Sequence, residues 1–173
     1  MNSTWTIYGS PVGALTLVGG PRGLTRLYFP GRAGLRLNEE RNAPESLADV
    51  VAQLEEYFAG RRRRFELDLD LQGTPFQQSV WAQLTTIPHG ETRAYGELAR
   101  AIGRPDRARA VGAAVARTPV PIIVPCHRAV GANGALTGYV GGLTLKRRLL
   151  DLEERVSGGR GIRVPSFHPG PVG

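Results

Sequence analysis

The only cysteine of the 173-residue chain, Cys126, stands in the run Pro125-Cys126-His127-Arg128. A thiol becomes a useful nucleophile when a base and local positive charge favour the thiolate, and here a histidine and an arginine follow at once. Adjacent side chains on an extended segment point to opposite faces, so His127 need not touch the sulfur and can act through a water or after a backbone turn. The neighbours alone leave a second reading open, in which Cys126 is a small buried hydrophobe. A lone cysteine makes no internal disulfide, and the histidines at 89, 127 and 168 lack the spacing of a structural zinc site, so no metal is expected. If Cys126 acts, it acts as a thiol.

The elements that must position this thiol fall into two groups. Short β-branched or aromatic runs at residues 5–8, 15–18 and 24–29, separated by Ser10-Pro11-Val12-Gly13 and Gly19-Gly20-Pro21-Arg22-Gly23, predict an antiparallel meander. After a polar loop over 30–43, Leu47, Val50, Val51, Leu54 and Phe58 recur at helical spacing, with Pro44 before and Gly60 after. Phe65, Leu67, Leu69 and Leu71 alternate with acids, which predicts a half-buried strand beside the meander and completes a small α+β unit ending at Gln72-Gly73. The second group opens on Thr74-Pro75-Phe76-Gln77, a capping box with proline at the first helical position, followed by a helix over 75–85. Residues 95–102 and 107–117 read as two short helices joined by Gly103-Arg104-Pro105, a turn of helix-turn-helix length. Residues 108–116 are almost all Ala, Gly or Val, which suits either tight helix packing or close approach to a partner. From Thr118 the prolines at 119, 121 and 125 predict an extended segment leading to Cys126 at a rigid turn. A hairpin loop over 131–134, a glycine-rich loop around Tyr139 and a helix over 143–155 complete the pattern, and 156–173 reads as a mobile tail.

Composition narrows the class. With 41% hydrophobic and 21% charged residues the chain is globular rather than disordered. Apolar runs such as 120–124 are far too short to span a bilayer, and the N-terminus lacks a signal-peptide pattern, so a soluble cytoplasmic protein with no membrane partner is expected. Residues 1–73 hold nine arginines against nine acids, whereas 74–173 hold twelve arginines and Lys146 against six acids, so the whole net charge of +7 lies in the second part. A basic half beside a neutral half suits a polyanionic partner such as nucleic acid, although basic domains without one are common.

The run from Pro119 to Arg128, Pro-Val-Pro-Ile-Ile-Val-Pro-Cys-His-Arg, resembles the acceptor-site signature of the O6-alkylguanine-DNA alkyltransferases, also called methylated-DNA-protein-cysteine methyltransferases. Thr74-Pro75-Phe76-Gln77, Gly90-Glu91-Thr92-Arg93-Ala94-Tyr95-Gly96, Arg109-Ala110-Val111-Gly112, Gly138-Tyr139-Val140-Gly141-Gly142 and Lys146-Arg147-Arg148-Leu149-Leu150-Asp151-Leu152-Glu153 follow in the family's order and spacing. The likeness is strong over 74–155, while the first part is similar to the family's N-terminal domain only in layout. It implies an α+β fold with a small antiparallel sheet and helix of RNase H-like layout over 1–73, then a mainly helical, winged-helix-like DNA-binding and acceptor domain over 74–155.

The resemblance also implies roles. Cys126 would take the alkyl group irreversibly from guanine O6, with thymine O4 as a further candidate, in double-stranded DNA, so that each molecule acts once and needs no cofactor. Glu153 would hold His127, and His127 would reach Cys126 through a water as base, an arrangement that fits the general chemistry of acid-base-nucleophile groups. The residues alone equally allow Glu153 to be a helix-end acid paired with Arg155 or Arg148. Tyr95 would donate to the leaving guanine, which needs a donor to avoid an anion. Arg109 would fill the gap left by the flipped base, with Ala108, Ala110 and Gly112 on the helix pressed into the minor groove. Tyr139, Val140, Ala129, Thr118 and Arg128 would surround the substrate pocket, with backbone near Ala129 and Val140 reading the base edge. Thr118, Ala129 and Val140 depart from the family's usual Asn, Val and small residue, which predicts an altered alkyl-size preference. Rival readings are a lesion-binding relative without chemistry, against which Cys126 argues, a helix-turn-helix regulator and a cysteine hydrolase. A monomer is expected.

Overall fold

The computed structural model describes residues 3–32 and 41–158. They form two units, the first from 3–32, 41–78 and 118–124, the second from 79–117 and 125–158. This differs from the expected linear division at 73/74 in two respects: the boundary lies at 78/79, and residues 118–124 return to the first unit. Most of the polar loop and the tail from 159 onward lie outside the described residues.

In the first unit β1 (Thr4–Ser10), β2 (Gly13–Gly20) and β3 (Gly23–Tyr28) form the meander, and β4 (Arg41–Asn42) pairs parallel with β1 at Thr4 and Trp5. The sheet order is β3-β2-β1-β4. Antiparallel register pairs Thr4 with Gly19 and Ser10 with Gly13, and an irregularity at Val18/Gly19 shifts β2 against β3. The central strand carries an unbroken buried run, including Leu15, Leu17 and Val18, because both of its faces are covered. Helix α1 (Ala48–Phe58) follows a single 3-10 turn, Pro44–Leu47, and buries Val50, Gln53, Leu54 and Tyr57 at helical spacing.

Two expectations in this unit need correction. The predicted strand over 65–71 is reduced to one parallel bridge between Leu24 and Leu69, with Leu24 N–H donating to Asp68 (2.9 Å) and Asp70 N–H to Leu24 (2.9 Å). Further pairing is pre-empted because the Gln53 side chain takes both backbone groups of Glu66, accepting from its N–H at 2.8 Å and donating to its carbonyl at 3.1 Å. The proline-rich segment is not extended throughout either. Leu27 N–H donates to Pro119 (3.0 Å), but Val124 N–H folds back to Val120 (2.9 Å) around Ile122 at φ 73°. A β-branched residue in the left-handed region costs roughly 1–3 kcal/mol, and Ile122, wholly buried, is held there by its surroundings.

In the second group of elements α2 (Pro75–Leu84) begins with the predicted capping box: Gln77 N–H donates to Thr74 Oγ1 (3.1 Å) and Thr74 N–H to Gln77 Oε1 (3.0 Å). The Trp81 indole N–H donates to the Ala114 carbonyl (2.9 Å) in α4 (Ala108–Ala116). Helix α3 (Tyr95–Ala101) packs on α4 across the glycine turn, where Gly103 takes φ 74°. Two-residue strands β5 (Arg93–Ala94) and β6 (Ala129–Val130) pair in parallel, and α5 (Leu143–Val156) closes the unit.

Candidate active site

Cys126 opens a 3-10 turn, Cys126–Arg128, closed by Arg128 N–H donating to the Pro125 carbonyl at 3.0 Å. The turn runs directly into β6, whose partner β5 runs directly into Tyr95 at the start of α3. The short parallel pair thus brings the nucleophile loop and the tyrosine to one place. The thiol is buried, and a negative charge on it raises the pKa of both Tyr95 and Lys146.

Helix α5 supplies the ionic groups. Its buried stripe is Leu145, Lys146, Leu149, Leu150 and Glu153, so one face carries a cation and, two turns on, an anion. Both are fully buried. Glu153 Oε2 accepts from His127 Nε2 at 2.6 Å, and Arg128 grips both oxygens, Nε to Oε1 at 2.7 Å and Nη2 to Oε2 at 3.1 Å. Gly90 N–H adds a longer bond to Oε1 at 3.3 Å. Burial alone would raise the Glu153 pKa, but His127 and Arg128 outweigh it and hold the carboxyl well below its usual range. Burial lowers the His127 pKa, against the pull of Glu153 and with the help of Arg128 and Lys146. The pair is therefore neutral imidazole and carboxylate. A carboxylate only accepts, so Nε2 carries the proton and Nδ1 presents its lone pair. That Nδ1 is buried with no hydrogen-bond partner among the described residues.

The base that holds this arrangement is tight. Gly90 takes φ 85°, and a Cβ there would collide with the Ser157 side chain at the end of α5. Ser157 Oγ is in turn 3.0 Å from His89 Nδ1.

The second unit also holds a cavity of about 380 Å³ lined by Tyr95, Gly112, Ala116, Thr137, Gly138, Tyr139 and Val140. The Tyr95 hydroxyl is 2.8 Å from Thr137 Oγ1. Burial raises its pKa, the Thr137 hydrogen bond lowers it, and Cys126 adds a smaller upward push. Arg109, Ala113 and Ala116 are exposed on α4 at helical spacing, with Gly112 beside them, so the arginine and the cavity share one smooth helix face. Ala108 and Ala110 on the same helix are half-buried.

Within the second unit the structure joins His127 to Glu153, sets Cys126 close enough to Tyr95 to act on its pKa, and places Tyr95, Tyr139 and Val140 around the cavity; Cys126 itself and several expected pocket residues are not among its lining. Arg128, expected at the pocket, is buried with Glu153, and its Nη1 donates to the Ile87 carbonyl at 2.7 Å. Ala129 is fully buried in β6, where its carbonyl accepts from Lys146, and it is not among the residues that line the cavity. Thr118 belongs to the first unit. Sequence reasoning missed Thr137 and gave Lys146 no role. Lys146 is the one lysine among 22 basic residues, a signal available in the composition. Its Nζ donates to the carbonyls of Ala129 (2.7 Å) and Thr137 (3.2 Å), and burial lowers its pKa to about 8 against the upward pull of a Cys126 thiolate.

Comparison with known proteins bears on these residues. Residues 75–155 match the family model described as 6-O-methylguanine DNA methyltransferase, DNA binding domain, and residues 4–71 match its ribonuclease-like domain. A methylated-DNA-protein-cysteine methyltransferase of Mycolicibacterium paratuberculosis is 51% identical over 154 residues, covering 86% of this chain and 90% of the relative. One of Methanosarcina acetivorans is 46% identical over 151 residues, covering 86% and 97%. The crystal structure of Mycobacterium tuberculosis OGT in complex with DNA superposes with a TM-score of 0.83 at 47% identity, covering 90% of this chain and 94% of that one. With both halves matched and relatives this similar over nearly their whole length, the chain belongs to the 6-O-methylguanine DNA methyltransferase family.

Proposed function

We propose that the protein repairs alkylated DNA directly, in a single turnover, with Cys126 as the alkyl acceptor. The observation that carries this is the 2.6 Å contact between His127 Nε2 and the Glu153 carboxylate. Glu153 holds its Nε2–H, which leaves a buried Nδ1 lone pair as base beside a buried thiol. Through a bridging water, Nδ1 takes the thiol proton, and Glu153 stabilises the imidazolium that results. The sulfur attacks the alkyl carbon on guanine O6, the S–C bond forms as the C–O bond breaks, and the electron pair stays with the guanine. Tyr95 donates a proton to the base as it leaves, so a neutral guanine returns to the duplex and an S-alkylcysteine remains. Thymine O4 offers the same leaving chemistry and is a second substrate.

A base inside a duplex cannot reach a buried thiol, so the target nucleotide rotates into the cavity between Tyr95 and Tyr139. The small residues of α4 permit close approach to the minor groove, and exposed Arg109 fills the space vacated in the stack. Val140 lines the cavity, so of the three departures from the family pattern it is the one that limits adduct size. The protein acts as a monomer on double-stranded DNA in the cytoplasm. Among the described residues no helix is long and apolar enough to cross a membrane.

The test is the intact mass after incubation with excess duplex carrying one O6-methylguanine, beside an unmodified duplex and a Cys126→Ala variant. A gain of one methylene unit, mapped to Cys126 and absent from both controls, is the expected result. Tight lesion binding with unchanged mass would instead identify a damage-recognition protein without the transfer chemistry.

A further inference from the structure

Thr137 stands at the junction of the two halves of the site. Its side-chain oxygen is 2.8 Å from the Tyr95 hydroxyl, and its carbonyl accepts from the buried Lys146 Nζ at 3.2 Å. Its methyl group lies over Gly131, where a Cβ, absent from glycine, would come within 3.1 Å of Thr137 Cγ2. The backbone carbonyl is thus anchored by Lys146 while the hydroxyl meets the phenol. Thr137 also lines the cavity, so its environment becomes drier once a base occupies it.

Two hydroxyls in contact have two possible donor directions. When the phenol O–H points at a bound base, only one remains: threonine donates and the phenol oxygen accepts. We propose that Thr137 is a positioning residue for alkyl transfer, whose hydroxyl donates to the Tyr95 oxygen, turns the phenol O–H toward the leaving guanine and stabilises the negative charge that gathers on that oxygen as its proton moves to the base. This rests on the assignment of Tyr95 as the donor to the leaving guanine. It adds a residue that touches neither sulfur nor alkyl group and acts on the leaving side of the reaction alone. The direction of the Thr137 effect on Tyr95, which lowers the phenol pKa against the rise caused by burial, agrees with it.

The test uses the full chain with four variants: Thr137→Val, which keeps the shape and removes the donor, Thr137→Ser, which keeps the donor, Tyr95→Phe, and Tyr95→Phe combined with Thr137→Val. Three quantities are measured: the single-turnover rate with an O6-methylguanine duplex, binding of that duplex in a Cys126→Ala background, and methylation of Cys126 by methyl iodide. Thr137→Val is expected to slow transfer about two- to tenfold, the worth of one hydrogen bond, with binding unchanged and with Thr137→Ser restoring the rate. Methyl iodide has no base to protonate, so its reaction should be the same in Thr137→Val as in the wild type. In the Tyr95→Phe background Thr137→Val should cost nothing further. A Thr137→Val rate equal to wild type, an equal slowing with methyl iodide, or the same loss with Tyr95 already removed would each overturn the role of Thr137. A Tyr95→Phe variant that transfers at the wild-type rate would overturn the Tyr95 assignment itself, a result separate from the failure of Thr137 alone.

Discussion

Replacing Glu153 by glutamine tests the logic of the site most directly, because the change is nearly isosteric and inverts a tautomer. Glutamine can be placed in two ways. With its nitrogen at the Oε1 position, an N–H faces both Arg128 Nε (2.7 Å) and Gly90 N (3.3 Å), so two donor pairs oppose one another. With its nitrogen at the Oε2 position only Arg128 Nη2 (3.1 Å) is opposed, and the amide can donate to His127 Nε2 at 2.6 Å. The second placement has fewer conflicts and dominates. His127 Nε2 must then accept, its proton moves to Nδ1, and the nitrogen available as base is lost. Removing general-base assistance costs a factor of about 10²–10⁴ in rate. The change also leaves Arg128 as a buried cation without its anion, which destabilises the protein by about 3–5 kcal/mol. For a chain of this length that lowers Tm by roughly 6–20 °C. Transfer should therefore be assayed at low temperature, where circular dichroism confirms that the variant is folded, by quenched single-turnover kinetics on an O6-methylguanine duplex. Nitrogen-15 shifts of the His127 ring report the tautomer in the same samples. A folded Glu153→Gln protein that transfers at the wild-type rate, or one that keeps its proton on Nε2, would refute the reasoning.

Three further outcomes follow from the same contacts. Because His127 has a folded-state pKa below 6.5, the unfolded chain takes up a proton that the folded one does not, and stability should fall as pH drops below about 6.5. Glu153, held well below the ordinary carboxyl range, adds a second loss as pH falls through and below that range; urea midpoints measured across this range check both, and a flat profile contradicts the assignment. Lys146, as the one lysine, gives a single Nζ resonance whose titration midpoint should lie at about 8, and a midpoint near 10.5 would mean that the amine is solvated. Gly90→Ala meets both a positive φ and the Ser157 side chain, whereas Gly103→Ala meets a positive φ in open space. Gly90→Ala should thus cost about 1–3 kcal/mol in urea unfolding and exceed Gly103→Ala, with equal costs arguing against the close packing at Ser157.

How much of this was legible in the sequence depended on whether a residue's partner was near in the chain. The α2 capping box and the glycine turn before α4 are local patterns that appear where turn chemistry places them, and the α1 stripe appears at Leu47, Val50 and Leu54, although Tyr57 is buried where Phe58 was expected and Val51 is only half-buried. The strand expected over 65–71 failed because its alternation was real but the backbone groups of Glu66 were claimed by a side chain, Gln53, thirteen residues upstream. Strands β5 and β6 are too short to leave any periodicity, yet their register of Arg93 with Ala129 positions the site. The same distance effect operates on the candidate residues. Arg128 beside His127 reads as a pocket residue until its partner Glu153, twenty-five positions away, is seen to take two of its three nitrogens. Thr137 carries no mark in sequence, since its meaning lies in a contact with Tyr95 forty-two residues earlier.

The return of residues 118–124 to the first unit has a consequence for the order of synthesis. Leu27 of β3 donates to the Pro119 carbonyl, so the first unit cannot be completed when residue 78 has been made. It must wait until residue 124 has been added, which at ribosomal speed is a delay of roughly 2–9 s. During that interval the N-terminal sheet lacks one of its neighbours and the α3 and α4 sequences are emerging. The segment that completes the early unit ends two residues before the nucleophile. The thiol of Cys126 therefore follows directly behind the segment that completes the first unit, and a nascent chain stopped before residue 118 would hold neither a complete first unit nor a reactive cysteine.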